Sequence, residues 1–410
     1  MSSILATNLF NVNSMVFVIT GGGSGIGEMM ALALEANGAA AVFILGRRLV
    51  SLQKVAAQAQ AQKGLVEWPR YPNRVYFENF NRVVPLFDES SFLPKLQETS
   101  GKHPKDDPAW WAAVNVALSI AHRFRGIESI SAEKENQRAM DYLRNAFGVV
   151  SDLTLGDPDL LGVQALLGIS IILQGTDRPR QASALVASTI RLCHNLGLHR
   201  QENNSGLSIE IEQRSRTFWI AYQLGKDHSI RLSQPPLQSD DEIDLSLPRE
   251  ITEDGMGQVL TNDGASVMNF FRLWVELSVI LGQTYSMFPT AQAPKQAEFT
   301  RHQAVEVLDQ RLEKWTRSIP SPFRPENTTK ALPKGAILHM VILYLSYFNC
   351  LSRVHLAAID QSVWTTGWLS PNDFSWAKLS KSSREKVLQA ARASIHLLGL
   401  TPQGDNACTW

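Results

Sequence analysis

Apolar positions along this chain follow two different periods, and the change between them falls near residue 60. Val16-Phe17-Val18-Ile19 is a continuous, β-branched-rich run ending at Thr20, the pattern of a strand buried on both faces. Glycines follow at 21, 22, 23, 25 and 27. Residues 28–36 read as a helix stopped by Asn37-Gly38. Ala41-Val42-Phe43-Ile44-Leu45 reads as a second buried strand, ending in Gly46-Arg47-Arg48. Two parallel strands with no third neighbour are marginal in water. The opening therefore predicts a βαβα fragment, an incomplete Rossmann-like segment over residues 1–65.

From about Tyr71 the period is helical. Residues 108–125 place Trp111, Val114, Leu118 and Ala121 on one stripe, and residues 136–153 do the same with Met140, Leu143, Phe147 and Val150. Residues 158–174 are apolar nearly all round, with proline in the first turn, and predict a central buried helix. A helix over 179–196 is closed by Gly197, and a long one over 209–232 carries Phe218, Trp219, Tyr222 and Leu224. Further helical stretches run over 267–287, 301–316, 334–359 and 375–398. Trp110-Trp111 and Phe270-Phe271 fall in such stripes and read as core. The prediction is a mainly α chain: a multi-helix domain over 70–410 behind the short N-terminal segment.

Composition narrows the classes. Apolar residues make up 44% and charged residues 19%, with 39 basic and 39 acidic side chains, so no strongly basic nucleic-acid surface is expected. The 3 cysteines, Cys193, Cys350 and Cys408, are too scattered for a CxxC-type zinc site and suit a reducing compartment. The first 15 residues lack a basic region ahead of an apolar core, so no secretory signal is expected. No apolar run of the roughly 18 residues that span a bilayer stands out, and no membrane partner is expected.

The glycine loop is the candidate for chemistry. Glycines let backbone approach a pyrophosphate, and a following helix points free N–H groups at it. Gly21, Ser24, Gly25, Ile26 and Gly27 are the candidate cofactor-binding residues. Arg47 and Arg48 stand where an acidic residue would hold a ribose 2′-hydroxyl, which favours the 2′-phosphate of NADP. Over residues 10–60 the chain resembles the start of a short-chain dehydrogenase/reductase, whose loop has the form TGxxxGxG. That family also needs further strands and a catalytic Ser with a Tyr-x-x-x-Lys pair. Tyr222-Gln-Leu-Gly-Lys226 matches the last motif literally, but an amphipathic helix with Tyr222 packed and Lys226 solvated accounts for it. No catalytic residue is assigned.

Metal ligands are not expected either. His194 and His199 lie off a common helix face, and Asp240, Asp241, Glu242 and Asp244 lack EF-hand spacing and read as a solvated or capping loop. Arg214 and Arg216 are expected to pair with that loop or with solvent.

Two stretches carry a second resemblance. Ala187-Ser-Thr-Ile-Arg-Leu-Cys-His-Asn-Leu-Gly-Leu-His-Arg200 is followed by a segment from Arg214-Ser-Arg-Thr-Phe-Trp-Ile-Ala-Tyr222 through Gln234-Pro-Pro to Asp241-Glu-Ile-Asp-Leu-Ser-Leu-Pro248. With Tyr76-Phe-Glu-Asn-Phe-Asn-Arg-Val-Val-Pro-Leu-Phe87 upstream, they resemble the fungal-specific transcription factor domain, the middle homology region of zinc-cluster regulators of the xylanolytic-activator type. The resemblance runs over about residues 72–400. It implies a nuclear regulator of transcription that acts through its helical domain and responds to a small-molecule effector. Contact with DNA, indirect or through a partner regulator, and homo- or hetero-oligomers are also implied. Members bind DNA through a separate cluster of six cysteines holding two zinc ions, and that motif is not in these residues. The alternatives from the glycine loop are an NADP-dependent short-chain oxidoreductase and an NADP-sensing regulator. The loss of strand–helix alternation near 57–64, with the regulator pattern resuming near Pro72, has the look of a junction joining pieces of two neighbouring genes, through genomic rearrangement or an incorrect gene model.

Overall fold

The computed structural model describes residues 12, 15–36, 39, 41–46, 48, 51–52, 55, 65–67, 71–98, 107–128, 131–176, 178–201, 208–232, 234–287, 298–357 and 380–400. The chain divides into two compact units, Met1–Arg74 with Glu89–Asp107, and Val75–Asp88 with Pro108–Trp410.

In the first unit β1 (Val16–Thr20), α1 (Gly25–Ala36) and β2 (Ala41–Leu45) follow in the expected order. The sequence pattern indicated two strands, but a third, β3 (Leu65–Glu67), pairs in parallel with β2, giving the sheet order β1-β2-β3. Three residues are too few to show a period, which is why the pattern missed it. Register places Phe17 beside Val42 and Ile19 beside Ile44. Those residues face one way, and Ile19, Val42 and Ile44 pack with Ala31 of α1 and with Ala39, Leu52 and Val55. Val16 and Val18, on the opposite face of β1, remain 61% and 55% exposed. The unit also contains α3 (Glu89–Glu98), where Lys95 pairs with Asp107 at 3.1 Å.

Between these parts of the chain α2 (Tyr71–Tyr76) runs into a π-helical turn, Phe77–Asn81. Buried Asn81 accounts for the turn. Its Oδ1 accepts from the Tyr76 hydroxyl at 2.9 Å and from the backbone N–H groups of Leu86 and Phe87 at 3.1 and 2.9 Å. Its Nδ2 donates to the Phe87 carbonyl at 2.8 Å. One side chain thus satisfies the backbone of a segment that no ladder could.

The second unit is helical: α4 (Pro108–Glu128), α5 (Ala132–Phe147), α6 (Val150–Leu155), α7 (Leu160–Gln174), α8 (Pro179–Asn195), α9 (Ser208–Arg231), α10 (Phe270–Met287), α11 (Glu298–Ser318), α12 (Thr328–Ala331), α13 (Lys334–Ala357) and α14 (Lys381–Leu398). A hairpin of β4 (Gln258–Leu260) and β5 (Val267–Asn269) precedes α10, where the sequence pattern ran the helix from 267. As expected, α7 is buried on nearly every side, from Gly162 to Leu173. Gln164 reaches Thr217 and Gln174 reaches His228, so α7 and α9 run parallel in register. The stripe read on α5 is displaced. Met140 and Phe147 are exposed, and Ala139, Leu143 and Ala146 face the core, because alanines allow closer packing against α4 than bulky side chains do. By length and composition α13 could cross a bilayer, yet in this fold it is a core helix with Leu338, Met340, Val341, Leu343 and Tyr344 buried.

Candidate nucleotide loop and the buried clasp of the helical unit

The glycine loop turns directly from β1 into α1, whose first helical residue is Gly25. Gly22 donates its N–H to the Leu45 carbonyl at 3.1 Å, tying the loop to the end of β2. Gly25 has φ +62°, and a Cβ there would meet nothing within 4 Å, so the surface above it is open. A Cβ on Gly27 would lie 2.5 Å from the Gly21 carbonyl oxygen, so loop and helix can close only over glycine. Gly21, Ser24 and Ile26 are exposed, Ile26 to 73%. The N-terminus of α1 is therefore exposed at the loop. Arg48 is exposed beyond β2, and Arg47 lies outside the described residues.

The residues that matched the enzyme motif sit elsewhere, on α9 in the helical unit. Lys226 is not solvated: its side chain is 4% exposed. Its Nζ donates to Asp240 Oδ1 at 2.6 Å and to the Gln238 carbonyl at 2.9 Å. The Tyr222 hydroxyl donates to the same Asp240 oxygen at 2.9 Å, and Nζ lies 4.9 Å from the Tyr222 ring centroid. Burial, reinforced by the Asp240 carboxylate, pushes the Tyr222 hydroxyl far above its ordinary range. Burial pulls Lys226 down, against the opposing pull of Asp240. A tyrosine held this way stays protonated, with its hydroxyl hydrogen directed at Asp240. The arrangement is a clasp that fixes the return of the chain through Pro235-Pro236 onto α9.

Around the clasp other expectations change. Asp240 opens a 3-10 turn through Glu242, and Asp241 and Glu242 are exposed as expected. Arg214 and Arg216 make their described contacts away from this acidic turn. Arg214 donates to the Leu196 carbonyl at 2.8 Å, and Arg216 pairs with Glu212 at 3.3 Å and Asp254 at 2.8 Å. His194 and His199 are off a common helix face, but the chain turns at Gly197, φ +68°, and brings their rings to 4.9 Å in edge contact. His194 Nε2 contacts Gln238 Oε1, and Arg200 Nε donates to His199 Nε2 at 3.1 Å. Burial holds His199 below its ordinary pKa. Among the described residues no three metal-ligating side chains gather.

Sequence reasoning missed a second set of buried polar contacts. Arg231 pairs with Asp227 at 2.8 Å, Ser346 reaches Asp227 at 3.4 Å, and the Tyr285 hydroxyl donates to the Ser229 carbonyl at 2.7 Å. His355 bridges Asp309 and Ser383, each at 3.1 Å, and Lys386 contacts Asp309. For the contacts on α9 the available signal was the density of polar residues from 223 to 231. The Cys193 and Cys350 thiols are buried and pushed up to about 12, which makes them inert.

Comparison with known proteins follows the same division. The fungal-specific transcription factor domain matches residues 74–317. An ABC-transporter-regulating transcription factor of Aspergillus oryzae is 40% identical over 350 residues, 82% of this chain and 38% of its own length. The fusaridione A cluster transcription factor of Fusarium heterosporum is 30% identical over 340 residues, 80% of this chain and 61% of its own. A short-chain dehydrogenase/reductase of Byssochlamys spectabilis is 58% identical over 57 residues, 14% of this chain and 18% of its own. This chain thus spans well under half of the Aspergillus relative, and no solved structure matches it. The family match, across more than half the chain, and the helical unit that carries it agree: this chain belongs to the fungal-specific transcription factor domain family.

Proposed function

We propose that this chain regulates transcription from the nucleus through its helical unit and performs no chemistry of its own. The observation that carries the reading is the family match over residues 74–317, joined to a Tyr–Lys pair locked onto Asp240 rather than open to substrate. Similar proteins named for control of an ABC transporter and of a biosynthetic cluster support a role in gene control. The three cysteines of these 410 residues do not make a six-cysteine zinc cluster, so within them contact with DNA runs through a partner regulator. A small-molecule effector and an oligomeric working form complete the proposal. Transcript profiling of a strain deleted for the gene tests it. Loss of a defined transcript set, restored by the intact chain, supports the role, and an unchanged transcript profile contradicts it.

A second reading rests on the glycine loop: NADP(H) lies over the N-terminus of α1, with Arg47 and Arg48 taking the 2′-phosphate. The open surface above Gly25 favours it. NADPH fluorescence titrated with the full chain and with Gly25→Val tests this, and no binding by the intact chain removes it.

A further inference from the structure

Helices α11, α13 and α14 of the helical unit frame a cavity of about 300 Å³ whose lining residues take no part in the clasp. Its floor is apolar. Tyr347, Phe348 and Leu351 come from adjoining turns of α13, and Ala390 comes from α14. Tyr347 stacks on Trp315 of α11 with ring centroids 5.4 Å apart, and it tilts against Phe348 at 5.1 Å. Four charged side chains line the rim, and they form two ion pairs. Arg317 pairs with Glu313 at 2.6 Å, and Lys386 pairs with Asp309, which also meets His355. Burial holds His355 below its ordinary range, so the rim carries no surplus charge. The Tyr347 hydroxyl, kept protonated by burial, bonds Thr316, whose own hydrogen goes to the Leu312 carbonyl at 2.8 Å. The Tyr347 oxygen thus spends its donor and remains an uncharged acceptor among the lining groups.

We propose that this cavity is the effector site of the helical unit and takes a small, neutral, planar aromatic molecule bearing a hydroxyl. The proposal rests on the reading that a small molecule governs this chain, and it gives that molecule a place and a chemistry. Small-molecule sites span about 300–1,000 Å³, so a cavity at the lower end admits one or two fused rings. Tyr347 and Phe348 offer a ring the edge and offset contacts that aromatic pairs favour. The ligand hydroxyl donates to the Tyr347 oxygen. Charge balance argues for a neutral ligand. An anion or a cation would have to shed water and then compete with carboxylates and cations that already hold each other. A molecule seated here touches three helices at once. It therefore favours the arrangement in which α14 is docked on α11 and α13, the differential contact through which an effector acts.

Titration calorimetry of the full chain with 2-naphthol, 2-naphthoate and 2-naphthylmethylammonium tests the site with one ring system in three charge states. The wild-type chain should bind 2-naphthol and should bind each charged analogue at least tenfold more weakly. Gln389 is exposed where it lines the cavity, so Gln389→Trp adds a ring at the rim without disturbing the core. It should leave the thermal melt in place and weaken 2-naphthol at least tenfold. Glu313→Lys, also at an exposed position, gives the rim surplus positive charge and should strengthen 2-naphthoate at least tenfold. No binding of 2-naphthol by the wild-type chain, 2-naphthoate bound as tightly as 2-naphthol, or an affinity unmoved by Gln389→Trp would each overturn the proposal. Such a failure leaves the transcript test of the regulatory role untouched, so the site and the role fall separately.

Discussion

Lys226 and Tyr222, one helical turn apart on α9, donate to the same oxygen of Asp240, at 2.6 and 2.9 Å. In an enzyme such a pair would present the tyrosine proton to a substrate. Here both donors are directed at the Asp240 carboxylate. Removing the carboxylate leaves a buried ammonium with the Gln238 carbonyl as its remaining oxygen partner. Because Asp240 is 37% exposed, the full cost of breaking a buried pair is reduced, and we expect Asp240→Ala to destabilise by about 1–3 kcal/mol. Lys226→Met should cost less, since it removes the charge that needs a partner. Urea unfolding of both variants checks the order, and the reverse order would contradict the clasp.

Gly282 of α10 gives an independent probe of the same contact. A Cβ there would lie 2.6 Å from Asp240 Oδ2 and 2.9 Å from Lys226 Nζ. Gly282→Ala should therefore loosen the clasp without touching its members, at a cost of roughly 1–3 kcal/mol from overpacking. Combined with Asp240→Ala the losses should fall short of the sum, because both act on one contact. Strict additivity would separate Gly282 from the clasp.

Acid should unfold the helical unit through its buried histidines. Burial pulls His228 and His339 down to about 4, with Asp227 opposing at His228 and the Asn79 carbonyl opposing at His339. Unfolded histidine titrates near 6.5, so the folded state binds fewer protons below that value. The stability is whole above about pH 6.5 and is lost as pH falls towards 4. At pH 4.5 the loss is on the order of 2 kcal/mol per histidine, by about 1.4 kcal/mol per pH unit. Thermal melts from pH 7.5 to 4.5 should show it, and His339→Gln, which can still donate to the Asn79 carbonyl, should flatten the acid slope.

Much of this was legible in the chain because its strongest signals are local. Apolar residues all round 158–174 gave the central helix, and the family motifs from 187 to 248 gave the helical unit. The clasp was not legible, because Lys226 and Asp240 lie fourteen residues apart with a proline turn between them. On a helix with mixed burial, a lysine reads as solvated until its partner is known. The displaced stripe on α5 failed for a related reason: Met140 and Phe147 are the more hydrophobic residues, yet Ala139 and Ala146 fit the groove against α4. Bulk decides patterning, whereas fit decides packing.

The central claim is that the helical unit regulates transcription, and a tethered reporter tests it most directly. The full chain is fused to an unrelated DNA-binding domain and placed upstream of a reporter in a fungal host. The account predicts a clear change in reporter output, reduced by Asp240→Ala and unaffected by Gly25→Val in the glycine loop. A reporter that stays at baseline, or a response that depends on Gly25 and not on Asp240, would contradict it.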